Sequence, residues 1–288
     1  MIIKNEKLLN LAPLPGEIEG EFRRALGRHN LHLNLLEICF MSFEENLGGK
    51  SDKQKYIRQL AKQFRFHSLH PENASLLGAH NYLFLSHIAY VFSAGDALCR
   101  KVRSNSYIKQ LKNEDTPRFI AIDKGDTIAK TVALAMLASM PGGERTADQV
   151  LTRTKAIFQE PCFSVVNYYR LVRNEELHAV DLDSDKKAAD VWEMLPKTEV
   201  ERLYGSVPNV PTSLAASDAL MCSKAWQDVA KWLCRHIIND DECVLPMLER
   251  RFGKDVGARR ETAARNFMKQ LLLYSDRDVG DTIAKLKW

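Results

Sequence analysis

The chain is 288 residues long, enough for one large domain or two small ones at about 100–200 residues each, so it can bury a sizeable core unaided. Its 45% hydrophobic and 27% charged residues exclude a disordered or fibrous chain. With 41 Lys and Arg against 37 Asp and Glu, the formal charge of +4 permits an anionic partner without demanding one.

Apolar residues recur at spacings of three and four while alternating strand patterns are nearly absent, so an all-α fold is expected. The first residues, MIIKNEKLLNLAPLPGE, lack the apolar core and cleavage site of a secretory signal, and no run approaches about 18 uninterrupted apolar residues. A cytoplasmic location away from any membrane is the resulting expectation. After the punctuation Pro13-Leu14-Pro15-Gly16, a helix is expected from about Glu17 to Asn46, with Leu33, Leu36, Phe40 and Phe43 as its apolar series and Gly48-Gly49 as its stop. Ser51 is placed to cap a basic helix through Phe66, His70-Pro71 marks a loop, and His80 to Arg103 reads as a long apolar helix central to the core.

From Ser104 to Gly125 the chain is polar, with Phe119-Ile120-Ala121-Ile122 as a short strand candidate in a connection. A helix follows from Asp126 or Thr127 to the stop at Pro141-Gly142-Gly143, and Thr146-Ala147-Asp148-Gln149 has capping-box spacing for the next. Pro161 breaks the chain again. Phe163 to about Val180, free of Gly and Pro, carries a helical stripe of Val166, Tyr169, Val172 and Leu177. A polar connector with Pro196, Pro208 and Pro211 leads to Thr212, the expected cap of a long helix bearing Leu220, Trp226, Val229, Trp232 and Leu233. Asp240 to Trp288 reads as two or three shorter, more charged helices. The expected organisation is N-terminal helices over 1–76, a helical core over 77–239 and a C-terminal appendix over 240–288. The hexapeptide Gly-Asp-Thr-Ile-Ala-Lys at Gly125–Lys130 and again at Gly280–Lys285 fits no repeat family, and both copies read as helix starts.

Several local patterns mimic chemistry without completing it. The six cysteines, Cys39, Cys99, Cys162, Cys222, Cys234 and Cys243, are scattered without a C-x-x-C and read as buried reduced thiols. Gly48-Gly49-Lys50-Ser51 imitates the end of a phosphate-binding loop, but Glu44 stands where the first glycine belongs, and a helix rather than a strand precedes it. Glu175-x-x-His178 could place a carboxylate and an imidazole on one helix face for a di-iron site, which needs such a pair twice and finds it once. His67-x-x-His70 is a lone pair beside a proline. No metal or cofactor is expected.

The segment Tyr168-Tyr169-Arg170-Leu171-Val172-Arg173-Asn174-Glu175-Glu176-Leu177-His178-Ala179 is different, because it sets an arginine and a histidine inside an unbroken amphipathic stretch. Permitted spacings recur from Arg23 and Arg24 to His29, near Gly27, and from Arg65 to His70, against Pro71, where an interrupted helix is expected. The segment resembles the signature of the HEPN superfamily, in which an arginine, usually followed by a polar residue, precedes a histidine with four to six residues between them on an inner helix of a bundle. The resemblance covers about His80 to Asn239 and implies a HEPN-type helical bundle with additional N- and C-terminal helices. It further implies catalytic roles for Arg173, Asn174 and His178 in a composite cleft formed by a homodimer. Guanidinium groups would bind the scissile phosphate, and histidine, titrating near neutrality, would assist attack by the ribose 2′-hydroxyl or protonate the leaving oxygen without a metal. The bland alternative is an arginine that caps carbonyls or pairs with Glu176, three residues on, and a histidine packed at a helix end.

Two basic segments are compatible with an RNA backbone. Lys53, Lys55, Arg58, Lys62 and Arg65 interleave with Tyr56, Phe64 and Phe66, and Arg250, Arg251, Arg259 and Arg260 lie in a C-terminal stretch where cations outnumber anions. Arg170, one turn before Arg173, joins them as a weaker RNA contact. The sequence therefore points to a metal-independent endoribonuclease with RNA as partner, acting by resemblance as a toxin or defence effector with an inhibitory or activating protein partner. The alternatives are a non-catalytic nucleic-acid-binding or regulatory helical interaction module, and a purely structural helical scaffold.

Overall fold

A computed structural model describes residues 13–66, 70–73, 75–105, 108, 127–140, 146–177, 187–238, 241–254 and 257–286, with backbone only at 176–177 and 241–243. The described residues form twelve α-helices and no strand, as the apolar periodicity predicts. In chain order they are α1 (Pro15–Gly48), α2 (Lys53–Gln63), α3 (Leu76–Ser104), α4 (Thr127–Ser139), α5 (Ala147–Ile157), α6 (Pro161–Leu177), α7 (Ala188–Glu193), α8 (Lys197–Tyr204), α9 (Ala216–Arg235), α10 (Asp241–Phe252), α11 (Gly257–Phe267) and α12 (Asp276–Lys285). A π-helical turn, Met268–Leu272, follows α11. The chain divides into two compact units that are not consecutive in sequence.

One unit draws its described residues from 1–24, 93–164 and 225–288. Its centre is Trp226 of α9, buried against Phe22 with ring centroids 6.3 Å apart. Gly95 admits the indole, since a Cβ there would lie 2.5 Å from Trp226 Cη2. Gly16 is required for the same reason beside the π-helical turn, where a Cβ would stand 2.0 Å from the Gln270 carbonyl oxygen. Helix α4 is buried from Ile128 to Leu137 with the one exception of Lys130, so its apolar run, with little amphipathic contrast, is that of an enclosed helix. It packs through Ala133, Leu137 and Met140 on Val150 of α5. Thr146 caps α5 as its spacing predicts, accepting from the Gln149 amide at 3.3 Å. At the chain's end Ser275 and Asp278 form a capping box for α12, and Arg235 pairs with Asp278.

The second unit draws its described residues from 25–92 and 165–224. Leu26 and Leu33 of α1 are buried, and the same face of that helix meets α3: Glu37 reaches His80 at 2.6 Å, Phe40 stacks on His80, and His29 stacks on both Tyr90 and His87. Helix α3 is long and apolar enough to cross a membrane by length and composition, and half of its most apolar window is buried in the fold, as in a core helix. His87 of α3 lies buried beside Ser223 of α9, 3.1 Å from its hydroxyl, which in turn donates to Asn30 Oδ1 at 3.1 Å.

The structure corrects several expectations: α1 runs unbroken through Gly27, so Arg23, Arg24 and His29 share one continuous helix. Asp52, not Ser51, caps α2 by accepting from the Lys55 amide at 2.8 Å, and the helix ends at Gln63 because Arg65 takes a left-handed conformation, φ 64°. Leu36 is half exposed, standing at the edge of the arc that Leu33 and Phe40 bury. Thr212 caps nothing: α9 begins at Ala216, where the Asp218 carboxylate takes the Ala215 amide at 2.8 Å. The polar connector before it holds the short helices α7 and α8. The second Gly-Asp-Thr-Ile-Ala-Lys copy is no helix start but the last half of α12, while the first begins outside the described residues and enters α4 at Thr127. The strand candidate at Phe119–Ile122 also lies outside the described residues.

Candidate functional site

Helix α6 begins with Pro161 at its first position, where the missing amide hydrogen costs nothing, and runs without Gly or Pro to Leu177. In the second unit its Val165, Val166, Tyr168, Tyr169, Leu171 and Val172 are buried. Asn167, Arg170, Arg173 and Asn174 are left half-buried at the margin of that face.

Two arginine clamps form there. Arg170 donates from Nε and Nη2 to Asn167 Oδ1, at 3.3 and 2.9 Å. Arg173 donates in the same way to Asn174 Oδ1, at 3.1 and 2.7 Å, and its guanidinium lies 4.8 Å from the centroid of the Phe92 ring. A cation over an aromatic face and a forked bond to one oxygen together hold the group against rotation. Arg173 is charged and close enough to Cys222 to pull its thiol toward ionisation, but burial dominates and pushes that thiol well up. His178 and the Glu176 side chain lie outside the described residues, so the Arg173–His178 pair and the Arg173–Glu176 alternative meet no geometry here.

A hydrogen-bond hub fixes α6 one turn before Arg173. The Tyr169 hydroxyl donates to Asp218 Oδ1 at 2.8 Å, and the same fully buried carboxylate accepts from the Asn209 amide at 2.9 Å, the Asn209 side chain at 2.8 Å and the Ala215 amide at 2.8 Å. The Tyr168 hydroxyl donates to the Asn209 carbonyl at 2.5 Å. Burial first, and then the Asp218 charge, push both phenols above the ordinary tyrosine range, so they stay neutral donors. At the far end of α6, Glu175 accepts the Ala188 amide of α7 at 2.5 Å.

The other expected residues are dispersed. In α2, Lys53, Lys55 and Lys62 are exposed together with Phe64 and Phe66 just past it, while Arg58 pairs with the buried Glu72 at 3.1 Å. His70 also meets Glu72, at 3.3 Å, and His67 is outside the described residues. Arg250, Arg251 and Arg259 are exposed and Arg260 is half-buried; Arg251 stacks over Phe267 of α11 at 4.7 Å. Lys50 of the imitation phosphate loop lies over Tyr56 at 4.8 Å, past the stop of α1 at Gly48. Among the described residues no group of three His, Cys, Asp or Glu stands at metal-binding separation, and Cys39, Cys99, Cys162, Cys222 and Cys234 are free thiols, Cys39 being exposed.

Sequence reasoning missed Phe92 and Asp218. Nothing in the local pattern marks either, because each acquires its role from an element distant in sequence. Comparison with protein-family models, with curated proteins and with solved structures finds no match.

Proposed function

We propose that the chain is a metal-independent endoribonuclease whose phosphate-binding group is Arg173. The reading rests on the resemblance of the Arg173–His178 segment to the HEPN signature. The observation that carries it is the fixed Arg173 guanidinium, forked onto Asn174 Oδ1 with Phe92 beneath it. A cation held in place before substrate arrives needs no reorganisation when charge develops on a phosphate, which is where such a group contributes most. Asn174, the polar residue after the arginine, is in this reading a positioning residue.

In the reaction the ribose 2′-oxygen bonds to phosphorus and the bond to the 5′-oxygen breaks. A histidine takes the 2′-hydroxyl proton and another returns one to the leaving oxygen, giving a 2′,3′-cyclic phosphate and a 5′-hydroxyl. His178 from each of two copies would supply both. A toxin or defence setting with a restraining protein partner belongs to the same reading.

The test is incubation of wild type, Arg173→Ala, Asn174→Ala and His178→Ala with mixed RNA in chelator, with end-group analysis of the products. Wild type should cut and leave cyclic phosphate, Arg173→Ala should lose about 10²–10³-fold, and His178→Ala should lose comparable activity, each with helicity retained. No cutting by wild type, or cutting that survives both substitutions, overturns the proposal. A second reading, a non-catalytic RNA-binding module, is favoured by the exposed cations of α2 beside exposed Phe64 and Phe66. It requires salt-sensitive binding without cutting, reduced by Lys55→Ala and Lys62→Ala but not by Arg173→Ala.

A further inference from the structure

Helix α1 carries two apolar stripes. One, with Leu26, Leu33 and Phe40 seven residues apart, faces the core and α3. The other, Leu31, Leu35 and Ile38, is 68%, 59% and 64% exposed. At about 100° per residue these three fall within about 60° of one another, on the side of the helix away from Leu33. An amphipathic helix needs only the first stripe to fold onto its unit, and among the described residues nothing covers the second.

The outer stripe continues as Arg28, Leu31, Leu35, Ile38, Ser42 and Glu45, alternating steps of three and four, which is the spacing of a helix-pairing seam. It is basic at its N-terminal end and acidic at its C-terminal end. Arg28 and Glu45 are both exposed, and neither makes an ion pair among the described residues.

We propose that this seam is a self-association surface on which a second copy of the chain pairs α1 antiparallel, about a two-fold axis at Leu35. The charge pattern selects both occupant and direction. A rise of about 1.5 Å per residue sets Arg28 about 10.5 Å before the axis and Glu45 about 15 Å beyond it. The two-fold operation therefore brings Arg28 within about 4.5 Å along the axis of the partner's Glu45, inside an arginine's reach, and Leu31 about level with the partner's Ile38. Parallel pairing would instead oppose Arg28 to Arg28 and Glu45 to Glu45. A two-fold contact of this kind is self-complementary by construction. One pair of helices buries less than the about 800 Å² per partner of a standard interface, so a weak, reversible dimer is expected. The proposal uses no residue of α6, and a dimer held through α6, which the ribonuclease reading needs, would be indifferent to Leu35→Lys.

The experiment is sedimentation equilibrium of the full chain from about 2 to 200 μM, for wild type, Leu35→Lys, Arg28→Glu, Glu45→Arg and the double variant, each checked for helicity by circular dichroism. Wild type should dimerise with concentration. Leu35→Lys, which sets two like charges on the axis, should weaken association at least tenfold, and each single charge reversal should weaken it severalfold. The double variant, which restores opposite charges only in the antiparallel arrangement, should return to within about threefold of wild type. A wild type that stays monomeric at 200 μM overturns the proposal. So does a dimer indifferent to Leu35→Lys, or a double variant no better than the singles. Because the charge reversals sit at exposed positions, they decide the matter even if Leu35→Lys loses helicity.

Discussion

Asp218→Asn is expected to destabilise the chain by about 3 kcal/mol although it preserves shape and removes a buried charge. Four donors converge on this carboxylate, the Tyr169 hydroxyl and the Asn209 amide on Oδ1, and the Asn209 side chain and the Ala215 amide on Oδ2. Asparagine keeps one acceptor oxygen and turns the other into a donor, so in either orientation two of the four donors face an N–H. Each hydrogen bond to an ionised group contributes about 1.5–3 kcal/mol. Losing two of them is offset in part by relief of the desolvation that the buried carboxylate suffers. Urea unfolding at 25 °C measures the loss directly, and at about 2–4 °C per kcal/mol for a large domain the midpoint of thermal unfolding should fall by about 6–12 °C. Tyr169→Phe is the internal comparison: it removes one donor, leaves three, and should cost about half as much. An Asp218→Asn chain within about 0.5 kcal/mol of wild type would refute the idea that this hub ties the 205–215 connector to α6.

Gly95→Ala should destabilise by about 1–2 kcal/mol in chemical denaturation. The helix-propensity gain of about 1 kcal/mol is outweighed because the new methyl would meet the rigid, buried Trp226 ring at 2.5 Å; a stabilised variant would contradict the close packing. Stability should also fall on mild acidification. Burial, and then the neighbouring His29 charge, lower His87 to a pKa of about 4, whereas in the unfolded chain it titrates near 6.5. The unfolded state therefore binds more protons between those values, and stability present above pH 6.5 is lost as pH drops, at up to about 1.4 kcal/mol per unit. His87→Gln should flatten the profile between pH 6.5 and 5. An unchanged slope would assign the loss to other groups.

The helical architecture was legible because a period of three to four residues is a local property, and α1, α3, α6 and α9 are long enough to display it. Helix starts were less legible where capping is a tertiary matter. Thr212 has the right side chain, yet α9 starts at Ala216 because Asp218 there gathers amides from a connector that must also reach Tyr168. At α2 two adjacent residues could each cap, and the chain uses Asp52. Arg173 and Asn174 were singled out from their pattern, and their forked bond is local. The Phe92 platform was not legible, since 81 positions separate it from Arg173 and no periodicity links them. The outer stripe of α1 was readable in Leu31, Leu35 and Ile38, but the sequence alone does not say which of two stripes the core takes.

The bond from the Ala188 amide to Glu175 makes the departure of the chain from α6 and its arrival at α7 fixed points, thirteen residues apart in sequence and one hydrogen bond apart in space. The cost of holding two such anchors together depends only weakly on the length of chain between them. Doubling such a stretch adds only about 0.6 kcal/mol of closure entropy. The bond acts as a clasp that fixes two ends and not the path between them, so Glu175→Ala should release the start of α7 from α6 while leaving each helix formed.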